Sequence, residues 1–417
     1  MTMLRTSTEA APVTQEPFSA HVSSYFRRVR GGEMGALPAV FGLLVLCTVF
    51  SILRPAFLTA GNFANLLPQG AAVTVIAMGL VFVLLLGEID LSAGFTSGVC
   101  ASVLAIVLAD YGLPWYAAIA AAVLTGSVVG LFLGTLVAKI GIPSFVVTLA
   151  AFLAFQGVVL ELIEGGKIVS IVDPVILAIG NKNLPPTIGW LCYGVGIAGY
   201  AATQLIRMNR RRGRGLSSDP ESLIVMRVVS LAAVTGAAVY VLNQERSRNI
   251  LITSLKGVPI VVPIMVILLV LLTFVLSRTG YGLHIYAVGG NREAARRAGI
   301  NTDRIRISAF VICSSLAAVG GIIAASRANS VDANTGGSNV LLYAVGAAVI
   351  GGTSLFGGKG RALDAVLGGA VVAVIINGMG LMGYSSGVKY VVTGAVLLLA
   401  AGVDALSRRR AAATGNR

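Results

Sequence analysis

Charge is scarce in this chain. Of its 417 residues only 12% are Asp, Glu, Lys or Arg, whereas 56% are hydrophobic. A soluble domain carries about a quarter charged residues, so this composition excludes an ordinary globule and points to a chain that crosses a membrane many times. Histidine is nearly missing. His21 and His284 are the two present, and neither has a second ligand at metal-binding spacing, so no metal site is expected. The four cysteines, Cys47, Cys100, Cys192 and Cys313, all lie inside apolar runs. They read as small buried hydrophobes, which excludes a disulfide framework or a zinc cluster. Acids are also scarce, 17 against 31 Lys and Arg, for a net charge of +14.

The basic excess is gathered at 27–30, 207–214, 278–306 and 408–410. Clusters of that kind mark cytoplasmic loops, not a nucleic-acid-binding face. A membrane span needs about twenty mostly apolar residues, and that ruler gives about twelve candidates: 35–53, 70–86, 93–109, 115–137, 144–163, 189–206, 225–242, 258–276, 307–325, 339–350, 362–382 and 388–406. The expected fold is therefore all-α, a polytopic transmembrane bundle. Alternation from an amino terminus inside the cell puts all four basic clusters inside and Trp115 and Trp190 at outer span ends. Residues 1–34 read as a cytoplasmic tail with Pro12 and Pro17, residues 35–406 as the membrane domain in contact with lipid, and 407–417 as a cytoplasmic C-terminal tail. No small-residue cleavage site follows the first apolar run, so that run reads as a retained span.

Some spans are unusual. Gly126, Gly130 and Gly134 form overlapping small-xxx-small repeats, the pattern of a close helix contact. The 339–350 segment is short for a crossing and runs into Gly351 and Gly352, so it reads as a half-helix. Gly87-Glu88-Ile89-Asp90-Leu91-Ser92-Ala93-Gly94 sets two carboxylates between apolar runs. Each would cost about 2.5–3.5 kcal/mol at a helix centre, so the stretch must lie at an interface or face a polar cavity. On one continuous helix Glu88 and Asp90 would point to opposite sides, which favours a break after Gly87 with Asp90 or Ser92 capping the next helix. From the residues alone, a tight turn with two hydrated acids and a pivot between broken helices both stand.

Residues 278–307 hold Arg278, Arg292, Arg296, Arg297, Arg304 and Arg306 against Glu293 and Asp303, and must sit in water. Within them Asn291 can cap a short helix, Glu293 suits its positive end and Gly299 can take its left-handed stop. A helix of about two turns needs a partner surface. A solvated basic loop is the plainer reading, but it leaves the caps unexplained. A third stretch, Gly351-Gly352-Thr353-Ser354-Leu355-Phe356-Gly357-Gly358-Lys359-Gly360, fails as a phosphate-binding loop. With Gly358-Lys359 aligned, Thr353 falls at the first glycine and Gly360 at the magnesium-binding hydroxyl. It reads as a flexible turn, so this chain is not expected to bind ATP.

Those three stretches, together with residues 62–69 and the run Tyr286 to Ala295 with Gly299 and Ile300, resemble the membrane permease subunits of ATP-binding-cassette sugar importers, in the branch serving ribose, xylose and galactose. The likeness extends over about residues 62–406. It implies that Asn291, Glu293, Ala294, Ala295, Arg296 and Gly299 belong to a cytoplasmic coupling helix that docks on a separate ATPase subunit, which carries the ATP and Mg. It also implies a homodimeric permease in a bacterial inner membrane and an external sugar-binding protein. Gly87, Glu88, Asp90, Ser92 and Gly94 would form a pivot on the translocation path, and Gly351, Gly352, Gly357, Gly358 and Gly360 a glycine-rich turn. Leu283 stands where relatives usually carry arginine. Residues 181–256 exceed the ribose-type pattern by two candidate spans, an enlargement similar to xylose-type permeases. An ion-coupled secondary transporter would suit the composition too, with Glu88 and Asp90 as its ion-carrying acids, and a membrane receptor or scaffold is the non-transport alternative.

Overall fold

The computed structural model describes residues 35–214, 220–247 and 254–413. Each expected span is helical. In chain order the first helices are α1 (Leu37–Leu53), α2 (Ala60–Leu85), α3 (Ala93–Ala109), α4 (Trp115–Thr135) and α5 (Ser144–Leu162), with α4 prolonged by a wider turn at Leu136–Ile140. After the short α6 (Pro174–Asn181) come α7 (Pro186–Arg212), α8 (Glu221–Asn243) and α9 (Val261–Arg278). Two short helices, α10 (Gly280–Gly290) and α11 (Arg292–Arg297), lead into α12 (Thr302–Ala328), α13 (Ser338–Ile350), α14 (Ala362–Leu381) and α15 (Ser386–Ala413). Among the described residues, seven helices are long and apolar enough to cross a membrane, and α1, α3 and parts of α13 and α15 are shorter apolar helices. The sequence places α7 among the spans. It is long enough, but its glycines, hydroxyls and terminal arginines leave it too polar to count with the seven. The 1–34 tail and His21 lie outside the described residues, and α15 runs on to Ala413 where the sequence suggests a span ending at 406.

Two helices form the spine. Helix α12 runs antiparallel to α2: Arg306 meets Glu88 at one end and the Arg327 guanidinium donates to Asn65 Oδ1 (3.2 Å) at the other. Small residues let the two backbones approach. A Cβ on Gly79 would come within 2.9 Å of Cys313 O, and one on Gly320 within 2.5 Å of the Ile76 side chain. The glycine stripe of α4 packs on α12 as its spacing suggests, Gly126 against Ser314 O (2.5 Å from an added Cβ), Gly130 against Phe310 O (2.5 Å) and Gly134 against Ile307 Cα (2.8 Å). Lipid tails are as apolar as these side chains, so close packing and interhelical hydrogen bonds hold the bundle. One such bond joins Ser127 and Ser315 (2.8 Å).

The same packing recurs on the other side of the spine. Helix α14 lies on α2 as α4 lies on α12, with Gly70 against Ala373 and Gly369 against Thr74, and with Asn62 and Asn377 exchanging side-chain hydrogen bonds (2.9 Å each). Helix α13 packs on α2 as α3 packs on α12. The run α2 to α5 and the run α12 to α15 are thus related by a pseudo-two-fold that inverts their direction, an arrangement shared by many transporters.

Short antiparallel ladders mark the end of the bundle away from Arg306. There β1 (Val169–Ser170) pairs β4 (Ser330–Val331), and β2 (Asn183–Leu184) pairs β3 (Val258–Pro259). Trp115 and Trp190 lie at this end, because Gly134 at the far end of α4 sits beside Ile307 and Gly189 sits beside Val258. The α7–α8 hairpin joins the bundle through Val239 and Leu242, which pack with Phe63, Ala64 and Leu67, and the rest of its surface is mostly exposed. That corrects one expectation. Cys100 and Cys313 are buried and Cys47 half-buried, but Cys192 on α7 is exposed. A small lipophilic maleimide applied to the detergent-solubilised chain should therefore modify Cys192 first and leave Cys100 and Cys313 unmodified until the protein is unfolded. Equal labelling of all three would contradict the packing.

Candidate functional site

The three stretches singled out in the sequence converge at the end of the spine where α12 begins. Helix α2 stops at Gly87, whose φ of +72° is left-handed and suits glycine. The chain then turns back into the bundle before α3 starts at Ala93. Two bonds to α5 hold the turn: Ile89 N donates to Ser144 Oγ (3.3 Å) and Thr148 Oγ1 donates to Ile89 O (3.2 Å). The break after Gly87 is as expected. Of the two cap candidates, Ser92 stands at the N-cap position without capping α3, and its amide and hydroxyl both donate to Asp90 Oδ1 (2.9 and 2.6 Å).

The two acids have different fates, as their spacing suggests. Asp90 is fully buried, at 0% exposure. Glu88 turns the other way and accepts from Arg306, with Nε at 2.8 Å and Nη2 at 2.6 Å from its Oε1. Their side chains are 17% and 6% exposed, so this is a nearly buried ion pair between the turn and the first residues of α12. The reading of both acids as hydrated therefore fails for Asp90. Arg306 belongs to the basic stretch, and nothing in that cluster singled it out from its exposed neighbours. Its position beside an apolar run, facing a chain with few acids, was the available signal.

Helix α11 is built as the sequence suggests. Asn291 Oδ1 accepts from Ala294 N (2.9 Å), Gly299 stops the helix at φ +86°, and Ile300 N returns to Ala295 O (3.1 Å). Ala295 is its one buried residue, and Asn291, Glu293, Ala294, Arg296 and Gly299 are exposed. Glu293 pairs with Arg296 and with Arg297 (3.2 Å each), and Arg292 lies 3.7 Å from Asp303. The sequence reading missed α10, whose glycine-rich run lacks a helical apolar pattern. Its Gly289 explains why: an added Cβ there would overlap Leu85 O, so the position serves close approach to the end of α2.

The glycine-rich stretch is not the free, flexible turn expected. Gly358 N donates to Leu85 O (2.9 Å), and a Cβ on Gly357 would fall 2.8 Å from Gly289 O and 2.9 Å from Gly87 N. A Cβ on Gly351 would overlap Asp364 O, and one on Gly360 would fall 2.8 Å from the Thr353 side chain. Gly352, Gly357 and Gly358 take φ of +117°, +83° and +73°. The Tyr286 hydroxyl of α10 donates to Gly360 O (2.7 Å). Burial of its ring, then the nearby Asp364 charge, push that hydroxyl above its ordinary pKa, while Arg361 opposes them, so it stays a donor at neutral pH. Gly87, Gly289 and Gly357 thus form one backbone knot at the root of the exposed α11.

A membrane bundle of inverted halves with broken helices, carrying an exposed capped helix on a tightly knotted end, is the architecture of a transport subunit. The chain belongs to the family described as branched-chain amino acid transport system / permease component, which it matches over residues 62–401. Membership in a family of permease components makes transport, and not bond chemistry, its activity. It is 37% identical over 355 residues to the xylose transport system permease protein XylH of Escherichia coli K12, covering 85% of this chain and 87% of that one. It is 32% identical over 372 residues to XylH of Haemophilus influenzae, covering 89% and 96%. The ribose import permease protein RbsC of Escherichia coli K12 is 30% identical over 370 residues, covering 88% and 92%. No solved structure matches.

The backbone knot yields a matched pair of variants. Gly289→Ala, which must displace Leu85, should destabilise the solubilised protein by about 1–3 kcal/mol, the usual cost of overpacking. Gly290→Ala, which would meet nothing within 4 Å, should be near neutral. Thermal unfolding of the two variants compares them directly, and equal midpoints would contradict the knot.

Proposed function

We propose that this chain is the membrane-spanning subunit of an ATP-driven monosaccharide importer, with xylose as the favoured substrate and ribose or galactose as alternatives. The observation that carries this reading is the similarity to permeases named for xylose over most of both chains, joined by the additional hairpin at α7 and α8. The family's title names amino acids, whereas the relatives described above are named for xylose and ribose. The relatives' names are the narrower guide. In this reading the sugar passes by alternating access, no bond in it changes, and ATP and Mg stay on a partner ATPase. A binding protein delivers substrate at the end that carries Trp115 and Trp190, two copies of the permease pair in the bacterial inner membrane among its lipids, and both termini face the cytoplasm.

Helix α11 is the docking element for the ATPase. Its exposed residues Asn291, Glu293, Ala294 and Arg296 present the contact face, Ala295 anchors the helix and Gly299 ends it. Gly87, Glu88, Asp90, Ser92 and Gly94 form the pivot it moves, and the 351–360 turn holds the two together. An ion-coupled mechanism is less well supported, because Glu88 is already held by Arg306 and Asp90 by Ser92.

Purified permease reconstituted with its ATPase and binding protein should take up xylose only with ATP inside the ATPase-facing compartment. Uptake by the permease alone, driven by an ion gradient, would overturn the reading. Glu293→Arg removes two exposed intrahelical pairs worth about 0.3–0.5 kcal/mol each, a minor local loss. Loss of a hydrogen-bonded charge at an interface costs about 2–5 kcal/mol, which weakens docking well over tenfold. The variant should insert normally yet lose co-purification with the ATPase or substrate-stimulated hydrolysis. Full assembly with full stimulation would leave α11 as a solvated basic loop.

A further inference from the structure

The turn at Asp90 has a counterpart in the inverted half. Ile89-Asp90-Leu91-Ser92-Ala93-Gly94 follows α2, and Val331-Asp332-Ala333-Asn334-Thr335-Gly336 follows α12 at the equivalent place in the inverted half. Both run as aliphatic, Asp, aliphatic, small polar, small, Gly. Their aspartates make related local bonds, to a hydroxyl two residues on in the first turn and three residues on in the second. Asp90 Oδ1 accepts from the amide two residues on, Ser92 N (2.9 Å), and from the Ser92 hydroxyl (2.6 Å). Asp332 Oδ1 accepts from the amide two residues on, Asn334 N (2.9 Å), and from the Thr335 hydroxyl (3.0 Å). Each turn starts a short helix, α3 or α13.

The two turns touch. A Cβ on Gly94 would fall 3.0 Å from Gly336 O, and one on Gly336 2.5 Å from Gly94 O, so the two glycines face each other, Gly94 inside α3 and Gly336 left-handed at φ +76° just before α13. Gly98 closes the contact against Thr335 O. Their surroundings differ: Asp90 is fully buried, while Asp332 is partly exposed and Asn334 exposed.

Helix α12 is the element both turns share. Its first residues adjoin α11 and hold the Asp90 turn through Arg306 and Glu88. Its last residues lead into the Asp332 turn by way of Asn329, which is left-handed at φ +59° and accepts from Asn181 Nδ2 (2.8 Å). The two turns meet at Gly94 and Gly336, so displacement of the Asp90 turn bears directly on the Asp332 turn. We propose that Asp332, Asn334, Thr335 and Gly336 form a second hinge, the inverted equivalent of the Asp90 turn, through which movement of α11 reaches the end of the bundle that receives substrate. The proposal rests on the ATPase-coupled reading above.

Asp332→Ala removes the acceptor of both turn bonds, whereas Asp332→Asn keeps one at the same place. Losing two hydrogen bonds of ordinary net strength lowers the formed hinge by about tenfold. In proteoliposomes with ATPase and binding protein, Asp332→Ala should therefore import xylose about tenfold more slowly while still binding the ATPase and hydrolysing ATP. Asp332→Asn should restore import. A second readout avoids the acid altogether: Asn334→Cys, with Cys192→Ser removing the exposed thiol, is labelled by an impermeant maleimide before and after vanadate traps the ATPase. The labelling rate should change several-fold on trapping, and not when Glu293→Arg is added. Import by Asp332→Ala at the parental rate, equal loss in the Ala and Asn variants, or a labelling rate indifferent to trapping would each overturn the hinge. Absence of ATP-dependent import in the unmutated complex would refute the transport reading instead.

Discussion

The Glu88–Arg306 pair is the interaction on which the rest of the arrangement turns. Each side chain alone would cost several kcal/mol at this depth, and together they are held on a single carboxylate oxygen at 2.6 and 2.8 Å. Pairs of this kind add little net stability over apolar substitutes, but removing one partner strands the other. The pair therefore fixes register. It ties the break after α2 to the first turn of α12, two residues that lie 218 apart in sequence.

Around that tie the bundle is closed by backbone approach. Gly87, Gly289 and Gly357 bring three distant segments within van der Waals reach, and any larger residue at Gly289 or Gly351 would meet a carbonyl oxygen. Such a knot transmits displacement because it has no soft side chains to absorb it. Helix α11 stands outside it, anchored by Ala295 and otherwise exposed, so a partner that moves α11 moves the start of α12 and, through Arg306, the turn that carries Asp90.

Much of this was legible in the residues. Span positions follow from long apolar runs, the α4 contact from Gly126, Gly130 and Gly134, and α11 from Asn291 and Gly299, since each is a local signal. What escaped depends on distant partners. The Gly351 to Gly360 turn reads as flexible because glycine reports freedom in isolation, and only Leu85 and Gly289 reveal that here it serves close approach. Asp90 or Ser92 reads as the cap of the next helix, and only the structure shows that the Ser92 hydroxyl is taken by Asp90 two residues earlier. The inverted repeat shows little in the sequence because its shared motif is six residues long and reads as a plain loop at Asp332. Cys192 lies in an apolar run, and only the thin attachment of the α7–α8 hairpin leaves it exposed.

The measurement that bears most directly on this account is the ATP hydrolysed per sugar imported by reconstituted complexes carrying Glu88→Gln, Arg306→Met or both. If the pair couples docking to the turn, each single change strands a partner and should raise that ratio several-fold with the ATPase still bound, while the double change should disturb assembly less than either single one. A ratio equal to the parent's in all three complexes, with assembly intact, would contradict the coupling role of the pair.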